Sequence, residues 1–246
     1  MFTALTLADQ SKELQTIIDQ CKALRSGQQR AVVVFDLDGT LLDNRPRTVA
    51  ILREAADHWA AAHPKAVEAI HSLDPSQLGY LVTDALRERG VDEALVGEAL
   101  EVWKQRFFRD DTLLHDVPLS GAVEFARACY EAGGNLAYFT GRDLPNMALG
   151  SLASLRDRGF PVGVPGTELV LKPDFETPDL DFKRAVTPEF KRIGHVVATF
   201  DNEPGNCNVF HEFFPEATHY LLLTQHAPNP PALAQGVRVI KDFRLG

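Results

Sequence analysis

Two carboxylates separated by one leucine, Asp36 and Asp38, stand where the apolar run Val32-Val33-Val34-Phe35 breaks off, and Gly39 and Thr40 follow them. An apolar run without polar alternation suits a strand buried on both faces of a parallel sheet. In open α/β sheets the ligand crevice lies beyond the carboxyl ends of the strands, so both acids are expected there, with Gly39 permitting a tight turn. Two acids this close repel unless something positive lies between them, and carboxylate and carbonyl oxygens are the ligands that Mg²⁺ prefers. With its charge neutralised, one carboxylate can attack a phosphorus atom while the second gives a proton to the leaving group and takes one from water. An acidic turn that merely caps a helix is the plain alternative. The flanking VVVF and TLLD make the pattern more specific than two acids alone.

Further along, Asn135–Phe139 reads as a buried strand that delivers Thr140-Gly141-Arg142 to the same edge as Asp36. A hydroxyl and free backbone N–H groups at such a turn can donate hydrogen bonds to phosphate oxygens. Val196–Phe200 is another buried strand, and Asp201 at its end offers a third carboxylate.

FDLDGTLLD resembles motif I of the haloacid dehalogenase (HAD) superfamily, YFTGR resembles motif II, Lys183 is a candidate for motif III, and VVATFDNEP resembles motif IV. Four separated matches in the right order span Val32 to about Pro204. The resemblance implies that Asp36 is the nucleophile and Asp38 the general acid and base. It also implies that Thr140, the Gly141 region and a lysine hold the phosphoryl group. Mg²⁺ would take the carboxylates of Asp36 and Asp201 and the backbone carbonyl of Asp38. Asn202 and Glu203 follow Asp201 where relatives often carry a second acid, which leaves the rest of the metal shell open.

Three lysines compete for the phosphoryl role: Lys172, Lys183 and Lys191. Lys191 lies too close to Asp201 to precede both a helix and a strand. Lys183 precedes it by 18 residues (201 − 183), room for about two to three helical turns and the strand. Lys172 ends a short strand of its own and stays open as the alternative. Together these features imply a Mg²⁺-dependent phosphatase acting on a small phosphomonoester through an aspartyl phosphate. A sugar phosphomutase or other phosphotransferase, or a catalytically silent phospho-ligand-binding protein on the same scaffold, is the alternative.

The elements that must position these groups follow from periodicity. Residues 41–117 carry helical spacing almost throughout, with Val49, Leu52, Ala56 and Trp59 on one helix, Leu78, Leu81, Val82, Ala85 and Leu86 on another, and Leu95, Ala99, Val102, Trp103 and Phe107 on a third. Thr48 is the expected N-cap of the first, and His63-Pro64 its stop. An all-helical insert of this size is no ordinary crossover. By resemblance it corresponds to a C1-type cap over the active site. The expected fold is therefore α/β: a Rossmann-like, three-layer parallel-sheet core from residues 1–40 and 118–246, with an all-helical cap, 41–117, inserted after the first strand. Trp103, Phe107 and Phe108 are expected in the cap's own core, since aromatics at helical spacing usually pack. An amphipathic helix over 8–25 is expected to lie on the core, with pairing of two copies through it as the alternative.

The chain has 246 residues, 45% hydrophobic and 24% charged, with a net charge of −9. That balance argues against a nucleic-acid or anionic-membrane surface as partner; the partner that the resemblance implies is a small phosphorylated molecule. Cys21, Cys129 and Cys207 are too few and too scattered for a disulfide framework. With no leader-like start and no apolar span of about 18 residues, a cytoplasmic location is expected. The eight histidines show no close pairing; His211-Glu212 resembles the start of a zinc-protease motif, but Pro215 stands where the second histidine belongs.

Overall fold

The computed structural model of the protein describes residues 2–59 and 62–246; residues 60 and 61, inside the expected cap span, and residue 1 lie outside the described residues. Six parallel strands form the central sheet: β1 (Ala31–Phe35), β4 (Asn135–Asp143), β5 (Thr167–Lys172), β6 (His195–Asp201), β7 (Thr218–Leu222) and β8 (Arg238–Ile240). They lie in the order β5-β4-β1-β6-β7-β8. Counted along the chain this is 3-2-1-4-5-6, the doubly wound order whose winding reverses between the first and fourth strands. A crevice therefore opens at the carboxyl ends of β1 and β6.

All five residues of β1 are buried, as a central strand covered on both faces requires. Val33 and Phe35 face one layer, made by α1 (Leu7–Leu24), α6 (Ala122–Glu131) and α7 (Leu144–Asp157). There Phe35 stacks on Phe200 with centroids 5.1 Å apart and meets Phe125 edge-on. Val32 and Val34 face the other layer, with Phe182 of α8 (Asp179–Val186) and Phe210 of α9 (Pro204–Phe213). The apolar face of α1, Leu14, Ile17 and Cys21, is spent on this chain's own core. A pairing of copies through α1 would have to use its polar side.

Between β1 and α6 the chain forms a helical insert with a separate apolar cluster that includes Val49, Leu52, Leu86, Val96 and Ala99. Its ends are stitched together by two short antiparallel strands, β2 (Leu42–Asp43) and β3 (Val117–Pro118), which sequence periodicity did not reveal. The insert holds α2 (Arg45–Asp57), α3 (Pro64–His71), α4 (Val82–Glu88) and α5 (Glu93–Phe107). Several boundaries differ from those expected. Thr48 is not a cap: α2 starts at Arg45 with Pro46 in its first turn, and the Thr48 N–H donates to the Asn44 carbonyl 3.1 Å away. Pro64 opens α3 as well as ending the preceding segment, because a first-turn position needs no N–H. Pro204 opens α9 in the same way, a helix not expected from the sequence. Leu78 and Leu81 lie outside α4, since the Leu78 N–H closes a 3₁₀ turn onto Pro75 and Leu81 is extended.

Candidate active site

The site is built where β1 and β6 end level with one another beside β4, which runs on to Asp143. Phe35 pairs with Tyr138 of β4 on one side and Phe200 of β6 on the other, so Asp36, Thr140 and Asp201 follow at nearly the same height. The Asp36 N–H extends the ladder to the Phe200 carbonyl at 2.9 Å. Beyond it the chain turns sharply: Thr40 N–H and Leu42 N–H both donate to Leu37 carbonyl. Gly39 makes this turn at φ 75°, and a Cβ there would lie 2.5 Å from Asn202 Nδ2, so conformation and space both select glycine.

Lys183, in the second turn of α8, is buried between the two strand ends. Its ammonium donates to Asp36 Oδ1 at 2.8 Å and to Asp201 Oδ2 at 2.5 Å. Asp201 is fully enclosed and also accepts from the Glu203 N–H and from Asn206 Nδ2. Burial would lower the lysine, but Asp201 and Asp36 hold it above the ordinary lysine range, so it stays charged. Burial pushes Asp36 up to about 7 despite the neighbouring Lys183, and Asp201 adds to the rise. Lys172 lies elsewhere, paired with Asp179 at 2.8 Å and donating to the Thr177 carbonyl. Lys191 is exposed. Thr140 is buried, and its Oγ accepts the Arg142 N–H at 3.2 Å, which leaves its O–H to donate into the crevice. Gly141 lines the same cavity.

Asp38 stands in a different setting. Arg142 donates to both its oxygens, Nε to Oδ2 at 2.6 Å and Nη2 to Oδ1 at 3.0 Å, and Arg47 reaches Oδ1 from α2. The same two guanidiniums hold the fully buried Asp116, Arg142 at 2.7 Å and Arg47 at 2.9 Å. Burial alone would push Asp38 up, yet Arg142 and Arg47 outweigh it and hold the carboxyl well below the usual carboxylate range. The group expected to give a proton first is thus an ionised base in this arrangement. Arg47 and Asp116 were missed by sequence reasoning: they sit at opposite ends of the insert, and no local pattern joins them. Asn206 was also missed, in the first turn of a helix that was itself unforeseen.

Among the described residues no three His, Cys, Asp or Glu side chains gather as an all-protein metal cage. Asp36 and Asp201 instead face one another across a single ammonium, two buried carboxylates with one positive charge between them. Two carboxylates completed by a carbonyl, water and substrate oxygens are what Mg²⁺ takes, and the residues present fit that ion. Asn202 bridges Thr40 and the Gln225 carbonyl, and Glu203 accepts the Ala227 N–H, so both are engaged with neighbouring loops.

These groups line a cavity of about 470 Å³ whose floor is Asp36, Thr140, Lys183 and Asp201 and whose far wall comes from the insert. The expectation that Trp103, Phe107 and Phe108 belong to the insert's core is corrected here: all three line the cavity, with Trp103 also packed on the insert's apolar cluster. They pack on one another, with Trp103 and Phe107 centroids 4.5 Å apart and Phe107 edge-on to Phe108. The indole N–H of Trp103 donates to Thr48 Oγ at 3.2 Å.

A doubly wound parallel sheet with carboxylates on both strands at its switch point, roofed by an inserted helical unit, defines a class of α/β enzyme. The chain belongs to the haloacid dehalogenase-like hydrolases, whose family model matches residues 31–166, more than half its length. At the level of sequence no curated protein matches it. Among solved structures it is similar to a candidate phosphatase from Clostridium difficile, with a TM-score of 0.56 and 14% identity over 86% of this chain and 94% of that one. It is also similar to Protein Tyrosine Kinase A from Mycobacterium tuberculosis, with a TM-score of 0.53 and 16% identity over 87% and 94%. A HAD-superfamily hydrolase of subfamily IA from Geobacter sulfurreducens gives 0.51 and 13% over 89% and 96%. At these identities the likeness concerns the fold. No helix among the described residues is long and apolar enough to cross a membrane.

Proposed function

We propose that this hydrolase is a Mg²⁺-dependent phosphatase of small phosphomonoesters that works through an aspartyl phosphate on Asp36. The observation that carries the reading is Asp36 and Asp201 converging on Lys183 beside the Thr140 hydroxyl, at the floor of a cavity wide enough for a small ester. The phosphoryl group is held by Lys183, Thr140 and the Gly141 backbone, and Asp36 attacks it in line. Asp36, Asp201 and the Asp38 carbonyl would hold Mg²⁺, which offsets the repulsion between an anionic nucleophile and an anionic ester. Asp38, ionised between Arg142 and Arg47, is ready to take a proton from the water that hydrolyses the aspartyl phosphate. To protonate a departing alkoxide first, it must part from those guanidiniums. Arg47 rides on α2, so a shift of the insert would loosen one of them.

The test is phosphate release from a panel of phosphomonoesters, with and without Mg²⁺. Turnover is expected with Mg²⁺, lost on chelation and abolished by Asp36→Asn, since the amide keeps the shape and removes the attacking oxygen. Near-normal turnover in that variant would refute the nucleophile assignment. Asp38→Asn should slow turnover about 10²–10⁴-fold, the usual share of acid–base catalysis.

A further inference from the structure

The insert's wall of the cavity, the part a leaving group meets, is more apolar than the floor, with Asn44, Thr48 and Thr83 its neutral polar side chains. On that side stand Tyr80, Leu81, Leu100, Trp103, Phe107 and Phe108. Phe108 meets Phe175 of the core edge-on at 5.0 Å, so the aromatic surface continues from insert to core. The segment bearing Tyr80 and Leu81 is anchored to the core, because Gln225 Nε2 donates to the Leu78 carbonyl at 2.6 Å. Tyr80 and Leu81 border the cavity while 53% and 50% exposed, so their apolar surface is open to an entering molecule.

Charge narrows the choice further. Among the described residues lining the cavity the cations are Arg45, Arg142 and Lys183, and each already has a carboxylate partner. Arg45 forms a two-bond pair with Asp43 at 2.8 and 2.7 Å. Arg142 is shared by Asp38 and Asp116, and Lys183 by Asp36 and Asp201. The two remaining acids, Asp179 and Glu203, are engaged by Lys172 and by the Ala227 N–H. With Lys183 given to the phosphoryl group, the cations that remain, Arg45 and Arg142, are each held by a carboxylate of this chain, and neither is unpaired for a second phosphate or a carboxylate on the leaving group. Of the acids, Glu203 alone has no cationic partner and is held by a backbone N–H.

Resting on the phosphatase reading, we infer that the ester this site takes has a neutral, apolar leaving group of aromatic size, seated between the Tyr80 segment and the Trp103–Phe108 wall. The released product is the corresponding alcohol. The P–O bond to it breaks as Asp36 bonds to phosphorus and Asp38 passes a proton to the leaving oxygen; water, giving its proton back to Asp38, then hydrolyses the aspartyl phosphate to Asp36 and inorganic phosphate.

The experiment compares kcat/KM of the full chain with Mg²⁺ on 2-phenylethyl phosphate, glucose 6-phosphate, phosphoglycolate and phosphocholine, whose leaving groups are all alcohols, with acetyl phosphate as a small activated control. 2-Phenylethyl phosphate should be preferred by about 10- to 100-fold, the scale on which an apolar pocket discriminates. Tyr80→Ser and Phe108→Ala, at positions outside the insert's apolar cluster, should each shrink that preference several-fold. Equal or better turnover of any polar or charged ester, or an unchanged preference in both variants, would overturn the inference while leaving the phosphatase reading intact. Turnover of none of the five, acetyl phosphate included, would overturn both.

Discussion

Lys183 carries more of the site than its surroundings in the sequence suggest. Its ammonium is the positive charge that the buried Asp36 and Asp201 share, and it packs 5.6 Å from the Phe139 ring centroid. Spacing before Asp201 made it readable, because a helix and a strand must fit in between; Phe182 beside it packs into the layer under the sheet and fixes which side of α8 faces the crevice. Lys172 could not be set aside from sequence, since its pairing with Asp179 depends on the fold of the loop after β5. Lys183→Ala is expected to raise KM and lower kcat together, because the charge serves both ground and transition states. Lys172→Ala should change either constant only slightly. Steady-state kinetics on one preferred ester decides between them, and the reverse pattern would transfer the phosphoryl role to Lys172.

At the scale of elements, buried strands and strongly periodic helices were legible, whereas the places where elements meet were not. β1, β4 and β6 announce themselves by continuous apolar runs, and their acids and hydroxyl follow from where those runs stop. The pairing of α2 with the end of the insert leaves no local trace. It rests on Arg47, fully buried, donating to the Phe107 carbonyl at 3.0 Å, lying 4.0 Å over the Phe107 ring and bridging Asp38 to Asp116. A methionine at this position fills similar volume without charge, and leaves Asp116 with Arg142 alone in a closed setting. Arg47→Met should therefore destabilise the protein by about 3–5 kcal/mol, the usual cost of removing one partner from a buried ionic cluster. It should also weaken the hold on Asp38. A denaturant midpoint within experimental error of the wild type would mean that the bridge contributes no net stability.

At the scale of the whole molecule, the two apolar cores share no residue, and β2 and β3 close the insert's base as a clasp. Asp43 pairs directly with Val117. Replacing residues 44–116 by Asn-Gly would join those two positions through a two-residue hairpin turn, a connection that needs only this clasp. The central sheet, Lys183 with its two carboxylates, and the Arg142–Asp38 pair would all remain. The insert's wall, Arg47 and Asp116 would be gone. If the insert seats the leaving group and excludes water, the shortened chain should keep its α/β circular dichroism and its turnover of acetyl phosphate to a far greater degree than its kcat/KM for 2-phenylethyl phosphate. The difference between the two losses measures what the wall contributes to recognition. Equal losses on both esters, in a chain that remains folded, would reduce the insert to a structural role.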